Sequence, residues 1–197
     1  MFEQWLGKRL RSPWGMFSKW TASYMNHDIN EWVIQLLDVR PHERILQIGT
    51  GSGAVLCRVA EKLESGTACG VDPAKRMVKQ SLRRTRHLRK EGRAEVKVGH
   101  AEHIPFADRS FHKVFSIHAM DGGTDIQQAL KEFYRVLQVD GTVFFTVHLN
   151  GQTKHSRQAK GDTLYTEQQI KRLLEESHFR DITVHMRDKD CCITAVK

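Results

Sequence analysis

The chain has 197 residues, room for one domain with an adequate core and a short appendage. Its apolar fraction of 40% suits a globular protein in water, and no apolar run approaches the roughly 20 residues of a membrane span or forms the core of a signal peptide. A formal net charge of +8 points to an acidic partner, nucleic acid or an anionic membrane.

Residues 1–32 hold all four tryptophans, Trp5, Trp14, Trp20 and Trp32, interleaved with Lys8, Arg9, Arg11 and Lys19. Pro13 and Gly15 break this stretch into a short helix, a turn and a second helix. It reads as a helical lid or substrate segment ahead of a main domain over 33–197. Tryptophan beside lysine and arginine also suits peripheral contact with an anionic membrane.

From Arg40 onward strands and helices alternate. Residues 45–48 form a short apolar strand that ends at a glycine turn, and Val55, Leu56, Val59, Ala60 and Leu63 follow at helical spacing. Ser65-Gly66 ends that helix and 67–71 reads as a second buried strand. Pro73 suits the first position of the next helix, which runs to about Lys90. Its buried stripe is Met77, Val78, Leu82 and Leu88. Lys75, Arg76, Lys79, Arg83, Arg84, Arg86, Arg89 and Lys90, with Arg93 beyond, form its solvated outer face. Strands follow at 94–98 and 111–117. Ile126, Ala129, Leu130, Phe133, Val136 and Leu137 make one helical stripe, with Thr124 and Gln127 as a capping box. Asp140-Gly141 turns into a strand over 142–147. The polar segment 149–164 reads as a surface loop, and Thr166 with Gln169 forms a second capping box. Alternating strands at 182–186 and 191–196, joined by a short turn, must be antiparallel. The expected fold is α/β: a Rossmann-like, doubly wound, mostly parallel seven-stranded sheet closed by an antiparallel β-hairpin, with an N-terminal helical lid. The four cysteines (57, 69, 191 and 192) show no Cys-x-x-Cys pair, and Cys191 and Cys192 point to opposite strand faces. Free thiols in a reducing cytoplasm are expected. No pair of histidines or cysteines shares a helical face at ligand spacing, so no metal is expected.

Gly49, Gly51 and Gly53 lie between a strand and a helix, where glycine lets a ligand approach the backbone and the helix N-terminus offers free N–H donors. Gly49-Thr50-Gly51-Ser52-Gly53-Ala54 also satisfies the dinucleotide fingerprint. Asp72, at the end of the second strand, can accept both hydroxyls of a ribose, or cap the helix that follows. A ribose-bearing ligand is the common expectation.

Four blocks decide between ligands: 45–53, then Gly70-Val71-Asp72, then 99–106 with Phe111-His112-Lys113-Val114, then Arg135-Val136-Leu137 with Asp140-Gly141. In this order and at this spacing they resemble the class I S-adenosylmethionine (SAM)-dependent methyltransferases, in particular the small group around the quinone-biosynthesis enzymes. The resemblance implies methyl transfer from SAM to a small or lipid-like acceptor. It implies cofactor contacts from Gln47, Gly49, Thr50, Gly51, Gly53, Asp72, Pro73, Met77, His100, Ala101, Glu102, Ser116 and His118. His118, Asp121 and His148 lie where family substrates approach and are the candidates for a general base, if the acceptor must lose a proton. The family's Asn-Pro-Pro-Tyr amine-methylating motif is absent, which argues against nucleic-acid amino groups as acceptors. Gln47, His100 and His112 stand where the family usually has carboxylates. Two lost charge-assisted contacts at Gln47 and His100 weaken SAM binding by about 1–3 kcal/mol, roughly 5- to 150-fold. Two alternatives stand beside this reading. One is a NAD(P)-dependent oxidoreductase, although Tyr165 is followed four residues on by Gln169 rather than lysine. The other is a SAM-binding module without catalysis.

Overall fold

A computed structural model describes residues 27–117, 119, 124–147, 166–187 and 190–197. The chain divides into two units, Met1–Trp32 and Val33–Lys197; of the first, only 27–32 are described, at the start of helix α1 (His27–Leu36). The expected N-terminal helices, the 149–164 loop, and the candidate bases His118, Asp121 and His148 lie outside the described residues.

In the second unit, β1 (Arg44–Ile48) is buried at four successive positions, as a strand covered on both faces must be. It is followed by α2 (Ala54–Glu61), β2 (Thr67–Asp72), α3 (Lys75–Arg84), α4 (Arg86–Lys90), β3 (Ala94–Val98) and β4 (Phe111–Ser116). Then come α5 (Ile126–Val136), β5 (Leu137–Val147), α6 (Glu167–Glu176), β6 (Arg180–Arg187) and β7 (Asp190–Val196). The seven strands order as β3-β2-β1-β4-β5-β7-β6. β1 to β5 are parallel, and β7 enters antiparallel between β5 and β6. The doubly wound sheet with its closing hairpin is the fold the alternation implies. Leu46, Ile48, Val71, Val114, Val143 and Ile193 meet Ile126, Leu130 and Phe133 of α5 in one core. The opposite face lies under α2, where a Cβ on Gly70 of β2 would come 2.9 Å from Leu56.

Four local expectations change. Pro73 is not the first helical residue: Ala74 is the extended N-cap and α3 starts at Lys75, because the Asp72 carboxylate holds the Ala74 N–H (2.9 Å) in a turn. The long basic helix is two helices that meet at Thr85, whose buried hydroxyl donates to the Ser81 carbonyl (2.8 Å) and bends the chain there. The cap of α5 is Asp125, accepting from the Gln128 N–H at 3.1 Å, rather than Thr124 with Gln127. β5 starts at Leu137, which pairs with Phe111; the register then slips to Lys113 opposite Thr142, and Asp140 in between takes φ 62°. The Thr166–Gln169 capping box is present in full.

Candidate functional site

The strand order reverses between β1 and β4, which opens a crevice at their C-terminal ends. The glycine turn leaves β1 into this crevice. Gly49 and Thr50 donate their N–H groups to the Val71 carbonyl at 2.8 and 3.2 Å, tying the turn to the end of β2. The Gly51 N–H donates to Asp72 Oδ2 at 2.8 Å, while Asp72 Oδ1 takes the Ala74 N–H. The Asp72 carboxylate, 7% exposed, thus joins the turn to the start of α3.

Close packing requires glycine at two positions of the turn. Gly49 and Gly53 have φ of +75° and +78°; a Cβ on Gly49 would lie 2.2 Å from the Ala119 Cβ, and one on Gly53 would lie 2.4 Å from Ser81 Oγ. At Gly51 the requirement is conformational, with φ +52° and nothing within 4 Å of a built Cβ. Gly51 therefore faces the open crevice.

Among the described residues, four buried polar atoms around the turn have no hydrogen-bond partner: Gln47 Oε1, Thr50 Oγ1, Ser81 Oγ and Ser116 Oγ. Gln47 sits on β1 opposite Gly70 and Phe115, and Ser116 ends β4 opposite Ile48. Native proteins pair the large majority of buried polar side-chain atoms. Gln47, Thr50, Ser81 and Ser116 thus cluster as buried, unsatisfied groups around the glycine turn.

The expected positions after β3 are arranged differently from one another. The Gly99 N–H donates to the Asp72 carbonyl at 3.3 Å, so this loop starts next to the turn. His100 is exposed and its carbonyl accepts the His103 N–H, while Ala101 is in the core. Glu102 is committed elsewhere, since its carboxylate accepts the Asp125 N–H at the cap of α5 (3.1 Å). Pro73 is exposed and Met77 half-buried. His112 accepts the Arg44 N–H through Nδ1 at 3.0 Å, at the far end of the sheet from the turn.

Sequence reasoning missed several residues around the site. Ala119 and Ser81 press on the glycines, and Gly70 leaves room for Thr50 Cγ2. Glu132 accepts the Ile104 N–H at 2.8 Å, and Arg135 donates to the Ile104 and Phe106 carbonyls at 3.0 and 2.9 Å, binding the 104–106 loop to α5. Arg135 holds the Glu132 carboxyl below the usual carboxylate range. Arg135 was visible within a quoted block, but the others come together only through the tertiary fold. An open depression of about 490 Å³ bounded by Arg44, Lys97, Phe106 and Arg135 includes none of the expected cofactor residues.

The four thiols are free and buried. Burial raises Cys69 and Cys191 to about 11 and Cys192 to about 12, so none of these three is a thiolate at neutral pH. Cys57, Glu61 and His87 bring potential ligand atoms within 4.8 Å of one another from two helices, a grouping that motif spacing did not reveal. Arg84 beside the Cys57 thiol opposes a cation there.

The family described as methyltransferase domain matches residues 46–145, half of the chain. A Bacillus subtilis protein named as a methyltransferase, YrhH, is 38% identical over 197 residues, covering 100% of both chains. The ubiquinone/menaquinone biosynthesis C-methyltransferase UbiE of Geotalea daltonii is 32% identical over 113 residues, 57% of this chain and 48% of that protein. This chain thus matches under half the length of that relative. A SAM-dependent methyltransferase structure from Aquifex aeolicus has a TM-score of 0.72 at 19% identity, covering 96% of this chain and 95% of that one. At that identity the likeness concerns the fold. With half the sequence matched by the family and a relative matched from end to end, this chain belongs to the class I SAM-dependent methyltransferases, enzymes whose cofactor is S-adenosyl-L-methionine.

Proposed function

We propose that SAM lies across the C-terminal ends of β1, β2 and β4 and that the acceptor is a small or lipid-like molecule. The observation that carries the placement is the buried, unpartnered Gln47 Oε1 beneath a glycine turn pinned by Asp72. The residues present fit the cofactor. A carboxylate has about four lone-pair sites, so Asp72 can hold two backbone N–H groups and still accept ribose hydroxyls. Gly51 allows close approach, Gln47 offers an acceptor toward the methionyl end, and His100 stands on the adenine side. Thr50 and Ser116 add hydroxyls within the same crevice.

Bound SAM supplies a methyl group on a cationic sulfur, so the protein's task is alignment and exclusion of water. The turn orients the ligand through backbone donors that the α3 start and β2 hold rigid. Removal of a proton from the acceptor falls to His118, Asp121 or His148. The segments 1–32, as a lid unit, and 149–164 select the acceptor. A quinone methyltransferase among the relatives supports a lipid-like acceptor. The missing Asn-Pro-Pro-Tyr motif speaks against nucleic acid. Peripheral contact with an anionic membrane follows from an acceptor of that kind.

The test is methyl transfer from labelled SAM to a panel of short-chain hydroxyquinones, small amines and duplex DNA. Product on the quinones is the expected result. Product confined to DNA overturns the acceptor reading, and product confined to the amines keeps a small acceptor and removes the lipid-like one.

A further inference from the structure

Between Asp72 and Glu91 the chain has no acidic residue, and it has eight cations: Lys75, Arg76, Lys79, Arg83, Arg84, Arg86, Arg89 and Lys90. These eight equal the whole formal excess of +8, so the rest of the chain is formally neutral. All eight are exposed, while Val78, Ser81, Thr85 and Leu88 form the buried stripe of α3 and α4.

This charge opposes helix stability. Lys75 and Arg76 stand in the first turn of α3, which has no acid there and where the helix dipole disfavours cations. Lys75 with Lys79, Lys79 with Arg83, and Arg86 with Lys90 are like-charge pairs at i,i+4, each of them destabilising. A solvated face chosen for stability alternates charge signs, and this one does not.

The start of α3 lies beside the crevice. α3 begins where Asp72 holds Ala74, and its Ser81 packs on Gly53. Residues 73–90 contain no Phe, Tyr or Trp to stack on bases. Among the described residues, the exposed large apolar side chains Val98, Val139 and Met186 are not on α3 or α4, so the face has no wedge to insert. It is purely electrostatic.

We propose that the exposed face of α3 and α4 docks on the anionic phosphate surface of a lipid bilayer and brings the crevice to a membrane-held acceptor. The proposal rests on the lipid-like acceptor reading, and it moves the membrane contact from the tryptophan-rich segment to the basic helices. Contact of this kind is long-range and screened by salt.

The variant Lys79→Glu/Arg86→Glu tests it. An acid at each of these two positions faces Lys75, Arg83 and Lys90 at i,i+4 spacing, so repulsive pairs become attractive ones and the helices are retained. Wild type and variant are sedimented with vesicles of phosphatidylcholine alone or with about 30% phosphatidylglycerol, from about 50 mM to about 500 mM salt. The expected result is wild-type binding to anionic vesicles only, lost at high salt, and weakened roughly tenfold or more in the variant. Equal binding by both proteins, or tighter binding to duplex DNA than to anionic vesicles at one salt concentration, overturns the proposal. SAM binding and transfer to a water-soluble short-chain acceptor are measured in parallel and stay the same in both. If that transfer fails while vesicle binding behaves as expected, the acceptor reading falls and the docking face stands. If vesicle binding alone fails, the docking face falls.

Discussion

Asp72 ties two backbone groups together. One carboxylate oxygen takes Gly51 and the other takes Ala74, so the residue is both the turn's anchor and the start of α3, with lone pairs left for a ribose. Gln47 carries the opposite kind of information. Its amide oxygen is buried and unpartnered, at a cost of about 1–3 kcal/mol in the free protein. Substitution to glutamate should therefore separate stability from affinity. A carboxylate buried at this position without a ligand lowers the unfolding free energy, because desolvation penalises charge more than a neutral amide. The same charge attracts the cationic methionyl end of SAM, and one restored charge-assisted contact tightens binding by roughly threefold to tenfold. Urea denaturation without ligand and calorimetric titration with SAM read the two effects. Both quantities moving together would sink the placement of Gln47 at the cofactor.

At the scale of elements, α5 acts as a clamp on the segment after the expected adenine-side residues. Glu132 accepts the Ile104 N–H, Arg135 donates to the Ile104 and Phe106 carbonyls, and Arg135 reaches Asp108 at 2.7 Å. Arg135 depresses the Glu132 carboxyl, so its contribution is fully present above the unfolded carboxylate value of about 4.3 and is lost as pH falls through the lower folded value. Glu132→Gln should lower stability at neutral pH by about 1–3 kcal/mol and flatten the loss of stability below about pH 4. Denaturation curves from neutral to acid pH check this, and an unchanged acid limb excludes the clamp as its source. The strands and the Thr166 cap were legible because alternation and a capping box are linear signals. The α5 cap differs by one residue from the expected Thr124 because Thr124 and Asp125 both suit an N-cap, and the pattern does not rank them. The break at Thr85 was invisible, since it arises from a hydroxyl back-bond rather than from glycine or proline. Leu137 fits the α5 stripe in the sequence because its side chain joins the same core from the start of β5.

At the scale of the molecule, the crevice exists because strand order reverses between β1 and β4, which gathers Gln47, the glycine turn, Asp72 and Ser116 from three strands. Motifs along the chain could name those residues, since each block is local. They could not name Ala119 or Ser81, which reach the turn only after long-range packing, nor Glu132, which holds the loop after β3. With SAM placed there, as proposed, it is a ligand of the native state alone, because no unfolded chain holds three strand ends together. Binding must then raise the unfolding temperature. At ligand near 100 times Kd the stabilisation is about 2.7 kcal/mol, and for a chain of this length each kcal/mol moves the midpoint by about 2–4 °C, giving a rise of roughly 5–11 °C. NADH at the same concentration should give none. Asp72→Asn should lose most of the rise, since an amide cannot accept both backbone N–H groups and a ribose with charge. Lys79→Glu/Arg86→Glu should keep all of it, because both side chains are exposed and neither is among the residues expected at the cofactor. A full rise in the Asp72 variant would place the ligand away from the turn at Gly49–Gly53, whatever the family resemblance of its sequence.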